Sequence, residues 1–242
     1  MIFNLFKSKP TLKELIPNGF VDIHSHILPG IDDGAKNVEE SLVLIKMMKK
    51  LGFSKIIGTP HTYPGLFDNT FKSIKDSFEL ISEKNFKKIK ISYASEYMLD
   101  NSIVEKAKNK KLLCLKDNYV LVEMSFLNEP IDLYEIIFEL RINGYIPILA
   151  HPERYLFYEG KFDKYIKLKK LGCLFQLNLL SSTNYYGKRV NYLLEKLLKN
   201  DLIDFVGSDI HSKSHISNFD KKVMVSNIDA LEKVIEKNFI FK

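Results

Sequence analysis

Cysteine is scarce in this chain, and what there is sits in no reactive pattern. The two residues, Cys114 and Cys173, are far apart and form no C-x2-C pair, which excludes a disulfide framework and a zinc ribbon and fits a reduced, cytoplasmic setting. Neither opens a C-x5-R phosphate loop, because the sixth residue after each is Val120 or Leu179, so both read as small apolar core residues. Arginine is almost as scarce. Of 36 basic residues only Arg141, Arg154 and Arg189 are arginines, and the lysines are spread along helical stretches as solvated faces. Basic residues are not interleaved with aromatics, so no nucleic-acid surface is expected. No run is long and apolar enough to span a bilayer. The start, MIFNLFKSKP, has too short an apolar part for a signal peptide and reads as an arm over residues 1–19 packed on its own domain. Repeats, low-complexity tracts and flexible linkers are also missing, which leaves one domain over 1–242.

What is present is a recurrence of strand then helix. Strands are expected at 20–26, 55–61, 89–97, 119–125, 146–151, 173–180 and 204–209. Helices are expected at 37–51, 69–84, 130–143, 162–171, 188–200 and near 226–237, with a short one around SIVEKAKNK. The strand runs are apolar on both faces, as in a parallel sheet covered on both sides.

These strands end on imidazole or carboxylate. Five of the six histidines lie there: His24 and His26 in FVDIHSH, His61 in KIIGTPH, His151 in IPILAHPER and His211 in FVGSDIH. KISYASEY and YVLVEMS end on Glu96 and Glu123, and Asp209 precedes His211 by two. Side chains at i and i+2 of a strand share a face, so HSH and DIH can each offer two groups to one ion. Asp32 and Asp33 follow in a Gly-flanked turn that carries an acid back over the strand end, although acids there would also suit the helix start at NVEES. Carboxylates gathered in an apolar interior need cations beside them. The set exceeds the capacity of one ion, and imidazole with carboxylate but no thiolate suits Mn, Fe or Zn. Groups from six or more strand ends meet at one point in a closed α/β barrel but not in an open sheet.

In order, HxH, Asp, His, Glu, Glu, His and D-x-H resemble the polymerase and histidinol phosphatase (PHP) superfamily. DIHSHILPGIDDGAK, TPH, SEY, VEMS, AHPERY and SDIH resemble its manganese-dependent CpsB/YwqE branch, the bacterial protein-tyrosine phosphatases of capsule and exopolysaccharide loci. The resemblance implies a distorted (β/α)7 TIM-like barrel. It implies two or three divalent ions, manganese first, held by His24, His26, Asp33, His61, Glu96, Glu123, His151, Asp209 and His211. Arg154 would hold the phosphate, with Asp33 and His61 beside it in catalysis, and a metal-activated water would be the nucleophile. The implied substrate is the phosphotyrosine tail of a bacterial tyrosine kinase, through which any membrane association would be peripheral. Where members of the branch carry a further arginine beyond D-x-H, this chain has Lys213 and His215. A second phosphate clamp, if there is one, is then the point charge of Lys213. Tyr63 and Phe67, in the proline-bounded loop after His61, could stack on a phenol ring. The same metal box would also serve a histidinol-phosphate or other small-molecule phosphatase, a nuclease, or a regulatory metal-binding module without turnover.

Overall fold

The computed structural model describes residues 8–82, 84 and 89–242; most of the apolar start and residue 83 of the helix expected at 69–84 lie outside them. Its strands are β1 (Phe20–Asp22), β2 (Phe53–Gly58), β3 (His61–Thr62), β4 (Lys90–Tyr93), β5 (Glu96–Met98), β6 (Tyr119–Glu123), β7 (Ile146–Ala150), β8 (Leu174–Asn178) and β9 (Phe205–Gly207). Its helices are α1 (Leu12–Leu15), α2 (Val38–Lys50), α3 (Phe71–Ser82), α4 (Asn101–Lys108), α5 (Leu133–Ile142), α6 (Phe162–Lys170), α7 (Lys188–Lys199), α8 (Lys213–Ser217) and α9 (Ile228–Lys237). All strand pairs are parallel.

The apolar strands divide their side chains between two cores. Val21, Ile23, Ile57, Leu121, Ile148, Ala150 and Phe205 pack together in one cluster. Their neighbours Phe20, Ile56, Val120, Val122, Leu149 and Val206 belong to a larger one shared with the helices. This alternation is what two covered faces require of a strand.

The ladder is not a single ring. Pairing resolves into a sheet of order β1-β2-β4 and another of order β3-β5-β6-β7-β8-β9. The runs expected at 55–61 and 89–97 each break in two, at Thr59–Pro60 and at Ala94–Ser95. Pro60 has no N–H to give the ladder, and its carbonyl accepts instead from the Glu96 N–H (3.1 Å) and Ser95 Oγ (3.0 Å). Single hydrogen bonds join the sheets: Asp209 N–H donates to His24 O (2.8 Å) and His26 N–H to Ile210 O (3.0 Å), while Thr59 N–H to Ser25 O (2.8 Å) prolongs the β1–β2 pairing. The run expected at 20–26 pairs regularly only to Asp22, and the one at 173–180 turns into a 3-10 helix after Asn178.

Gly207 lies at a tight point of this frame. A Cβ there would stand 2.6 Å from His24 Cβ and 2.7 Å from Gln176 Nε2. Gly207→Ala is therefore expected to cost about 2 kcal/mol or more, read from urea unfolding, because both neighbours are buried and cannot retreat. An unchanged midpoint would show that the frame relaxes. In the described part of the arm, Thr11 caps α1, Leu12 N–H donates to Lys221 O (2.9 Å) and Leu12 is fully buried, so residues 8–19 pack on their own chain.

Candidate metal centre

The nine predicted ligands come together. Their donor atoms form four overlapping groups: His26, Asp33, His61 and His211; His24, His151 and Asp209; His24, His26 and Glu96; and His61, Glu96 and Glu123. Within each group the atoms lie within 4.8 Å of one another. Glu96 stands at the middle. Its Oε2 is 3.2 Å from His24 Nε2, 3.5 Å from His26 Nε2 and 3.1 Å from His61 Nδ1, and its Oε1 is 3.2 Å from His151 Nε2. Asp209 Oδ1 lies 3.4 Å from both His24 and His26 Nε2, and Glu123 Oε1 lies 2.8 Å from His61 Nδ1.

Burial grades across the set. His24, His26 and Glu96 are sealed, whereas Asp33 is 57% exposed and rests 3.2 Å from His211 Nε2 and 3.6 Å from His61 Nε2. Two of the predicted ligands reach inward through left-handed backbone, His151 at φ 36° and Asp209 at φ 51°. That conformation turns a side chain out of the strand alternation, and His and Asp tolerate it better than most residues.

Three of the five imidazoles are oriented by a residue behind them. His24 Nδ1–H donates to Gln176 Oε1 (2.6 Å) and His26 Nδ1–H to Asp32 Oδ2 (2.7 Å), leaving both Nε2 lone pairs aimed at the cluster. His211 Nδ1–H donates to Asp209 O (2.9 Å), with the same effect. The two acids of the Gly-flanked turn thus have different tasks. Asp32 is buried behind His26 and also accepts from the Gly34 and His61 N–H groups, while Asp33 faces the opening. Gln176 and Asn178 carried a signal in the sequence, as two amides at i and i+2 in an otherwise apolar strand. Gln176→Leu is expected to weaken metal binding about tenfold to a hundredfold, read by competition with a metallochromic chelator. Wild-type affinity would mean that the His24 tautomer needs no such partner.

The charge balance is what a cation site requires. Burial alone would push Glu96 and Asp209 up, yet the imidazoles beside them (His24 and His61 for Glu96, His24 and His211 for Asp209) hold both well below the usual carboxylate range. Burial would likewise lower His61, but Glu96 and other neighbours raise it to about 10, and burial takes His151 down to about 4. His61 Nδ1, His151 Nδ1 and Glu96 Oε2 are buried without an aligned hydrogen bond. Such orphaned donors and acceptors are costly unless something else engages them, and divalent cations fit the whole set.

Beside the cluster opens a cleft of about 770 Å³ lined by Arg154, Phe126, Tyr185, Tyr186, Lys213 and the outer members of the cluster. Arg154 Nη1 donates to Asp209 Oδ2 (2.8 Å), and its guanidinium carbon lies 4.5 Å from the Phe126 ring centre and 4.1 Å from that of Tyr186. The short 3-10 turn carrying Arg154 is tied to β8 by Glu153, whose Oε1 accepts from the Asn178 N–H (3.0 Å) and Ser181 Oγ (2.6 Å). Asn178 Nδ2 in turn donates to Asp209 Oδ2 (2.8 Å) and Tyr186 Oη (3.1 Å). Lys213 opens α8 on the cleft wall. Tyr63 does not line the cleft; its backbone exchanges hydrogen bonds with Phe67 (2.9 and 2.8 Å), whose ring stacks on His61 at 5.5 Å. Neither cysteine is there either, and burial pushes Cys114 up to about 11 and Cys173 up to about 12.

A parallel α/β fold whose strand ends converge on imidazoles and carboxylates beside an arginine-bearing cleft defines a metal-dependent hydrolase. The fold is shared with histidinol phosphate phosphatase of Lactococcus lactis, at a TM-score of 0.55 and 14% identity over 92% of this chain and 94% of that one. More specifically, residues 20–237 match the model of the capsular polysaccharide synthesis family CpsB/CapC, and the chain belongs to that family. It is 31% identical over 196 residues to the putative tyrosine-protein phosphatase CapC of Staphylococcus aureus, covering 79% of this chain and 77% of that protein. A crystal structure from work on YwqE of Bacillus subtilis and CpsB of Streptococcus pneumoniae, described as unique metal-dependent tyrosine phosphatases, superposes with a TM-score of 0.78. That match has 26% identity and covers 91% of this chain and 90% of the other.

Proposed function

We propose that this chain is a metal-dependent tyrosine-protein phosphatase that hydrolyses phosphotyrosine in a protein substrate. The observation that carries the reading is the convergence of nine imidazole and carboxylate side chains next to Arg154 at the floor of one cleft. The ligands are His24, His26, Asp33, His61, Glu96, Glu123, His151, Asp209 and His211, holding two or three divalent ions. Manganese is the native metal in this reading, with iron or zinc as alternatives that the donor set also suits. In this reading the strands form a distorted (β/α)7 barrel, which the hydrogen bonds from Asp209 to His24 and from His26 to Ile210 between the two sheets support.

When bound, the ions supply Lewis acidity and an activated water for in-line attack at phosphorus. The chain's own residues prepare the rest. Gln176, Asp32 and the Asp209 carbonyl fix the histidine tautomers. Arg154 donates to non-bridging phosphate oxygens, where charge grows during hydrolysis. Lys213 adds a point charge at the cleft wall for an anionic substrate. A phenol leaving group, with a pKa of about 10, departs without strong general acid help. Both thiols remain protonated, so no phosphocysteine forms. The partner in this reading is the tail of a bacterial tyrosine kinase of capsule or exopolysaccharide synthesis, met in the cytoplasm. Among the described residues no helix is long and apolar enough to cross a membrane.

The test compares a tyrosine-phosphorylated peptide with histidinol phosphate, using metal-stripped protein, protein reloaded with Mn, and His151→Ala. Hydrolysis of the peptide is expected only after reloading and is lost in the variant. Reloading should also raise the melting temperature by several degrees, since a ligand at a hundredfold its Kd adds about 2.7 kcal/mol. Turnover indifferent to chelation, or a preference for histidinol phosphate, sinks the reading.

A further inference from the structure

Two large rings in the cleft are left partly bare. Phe126, in the loop after β6, is 48% exposed, and Tyr185, after β8, is 37% exposed. Both line the cleft that holds Arg154. Aromatic side chains recover free energy when covered, and a half-bare ring beside an anion-binding arginine is a ready surface for an aryl group.

The arrangement of Arg154 limits how a ligand can enter. Its guanidinium carbon lies over the rings of both Phe126 and Tyr186. One Nη1–H is committed to Asp209 Oδ2. A phosphoryl oxygen in the cleft is left the N–H groups that Asp209 does not take. The group esterified to that phosphate then meets the ring surfaces that line the same cleft. One surface is the bare part of Phe126, whose covered part rests on Arg154, His151 (5.5 Å) and Tyr155 (5.8 Å). The other is Tyr185, which meets Tyr186 edge-on (4.8 Å, 90°) and His215 at 5.3 Å. Tyr186 is held in place by Asn178, so that wall is anchored.

We infer that Phe126 and Tyr185 form an aryl-binding subsite that selects phosphate esters of phenols over those of alkyl alcohols. This inference rests on the phosphatase reading and adds to it the residues that set substrate class. The two rings come from different loops, and only one touches Arg154, which makes the role separable from that of the arginine.

Calorimetric binding of phenylphosphonate and methylphosphonate to the Mn-loaded full chain isolates the ring, because the two ligands share an anionic head and neither is hydrolysed. Wild type should prefer the phenyl ligand. Phe126→Leu, Phe126→Ala and Tyr185→Ala should each reduce that preference about three- to tenfold, while Tyr185→Phe keeps it. Melting curves confirm the fold of each variant, and Phe126→Leu retains apolar bulk against Arg154 if the alanine variant unfolds. If both phosphonates weaken together and the preference is unchanged, the rings serve only to position Arg154 and the subsite is overturned. Wild-type protein that binds neither phosphonate and hydrolyses no phosphomonoester removes the phosphatase reading itself, a different and recognisable failure.

Discussion

Glu96→Gln, loaded with Mn under the same conditions as wild type, should hydrolyse a phosphotyrosine peptide on the order of a thousandfold more slowly and retain less metal after gel filtration. Glutamine preserves the volume and can still accept hydrogen bonds, so the fold should survive. What it removes is the negative charge at the one position within 3.5 Å of the nitrogens of His24, His26, His61 and His151. Glu96 is fully buried, and no water can take over a carboxylate's role there. Each of the other acids approaches fewer of these imidazoles: Asp209 lies between His24, His26 and His211, and Glu123 lies against His61. Elemental analysis beside kcat/KM separates loss of metal from loss of activity with metal retained. Full metal content with wild-type turnover would show that Glu96 is not a ligand.

Arg154→Lys should lower kcat/KM for the same peptide about a hundredfold and come close to Arg154→Ala, because a point charge does not restore what the fork provides. Lysine can reach a phosphate, but it has no planar faces to lie against Phe126 and Tyr186 and so loses the orientation those rings impose. The fold should tolerate either change. Asp209 Oδ2 keeps a second donor in Asn178 Nδ2 (2.8 Å), so the buried carboxylate is not left unpaired. A stability loss of about 1.5–3 kcal/mol is expected, the size of one lost charge-assisted hydrogen bond. Wild-type efficiency in Arg154→Lys would mean that charge alone suffices and the ring clamp is incidental.

The residues that converge were legible because their information is local. HSH and DIH each place two donors at i and i+2, and TPH, SEY, VEMS and AHPER each bring one to the end of a run whose apolar character marks a covered strand. The division of labour between Asp32 and Asp33 was less accessible. In a tight turn, one residue of displacement decides whether a carboxylate is buried behind His26 or faces solvent near His211, and both acids fit either place by type. The breaks at Thr59–Pro60 and Ala94–Ser95 had a signal in the proline, but each 3-residue or shorter second piece is defined by its neighbours across the sheet rather than by its own periodicity. The cleft walls were the hardest to read. Phe126 and Tyr185 come from loops after different strands, nearly sixty positions apart, and nothing in either segment says that both line the cleft that holds Arg154. Tyr63, close in sequence to His61, was the more visible aromatic, but the turn it forms with Phe67 keeps it off the cleft lining.

In the proposed assignment the donor groups differ in their access to solvent: Asp33 is 57% exposed, whereas His24, His151 and Asp209 are buried. An ion held by Asp33 and His211 would then exchange with solvent faster than one held among His24, His151 and Asp209, and brief exposure to a chelator is expected to strip the outer position first. A preparation described by a single metal-to-protein ratio would then be a mixture of differently loaded chains.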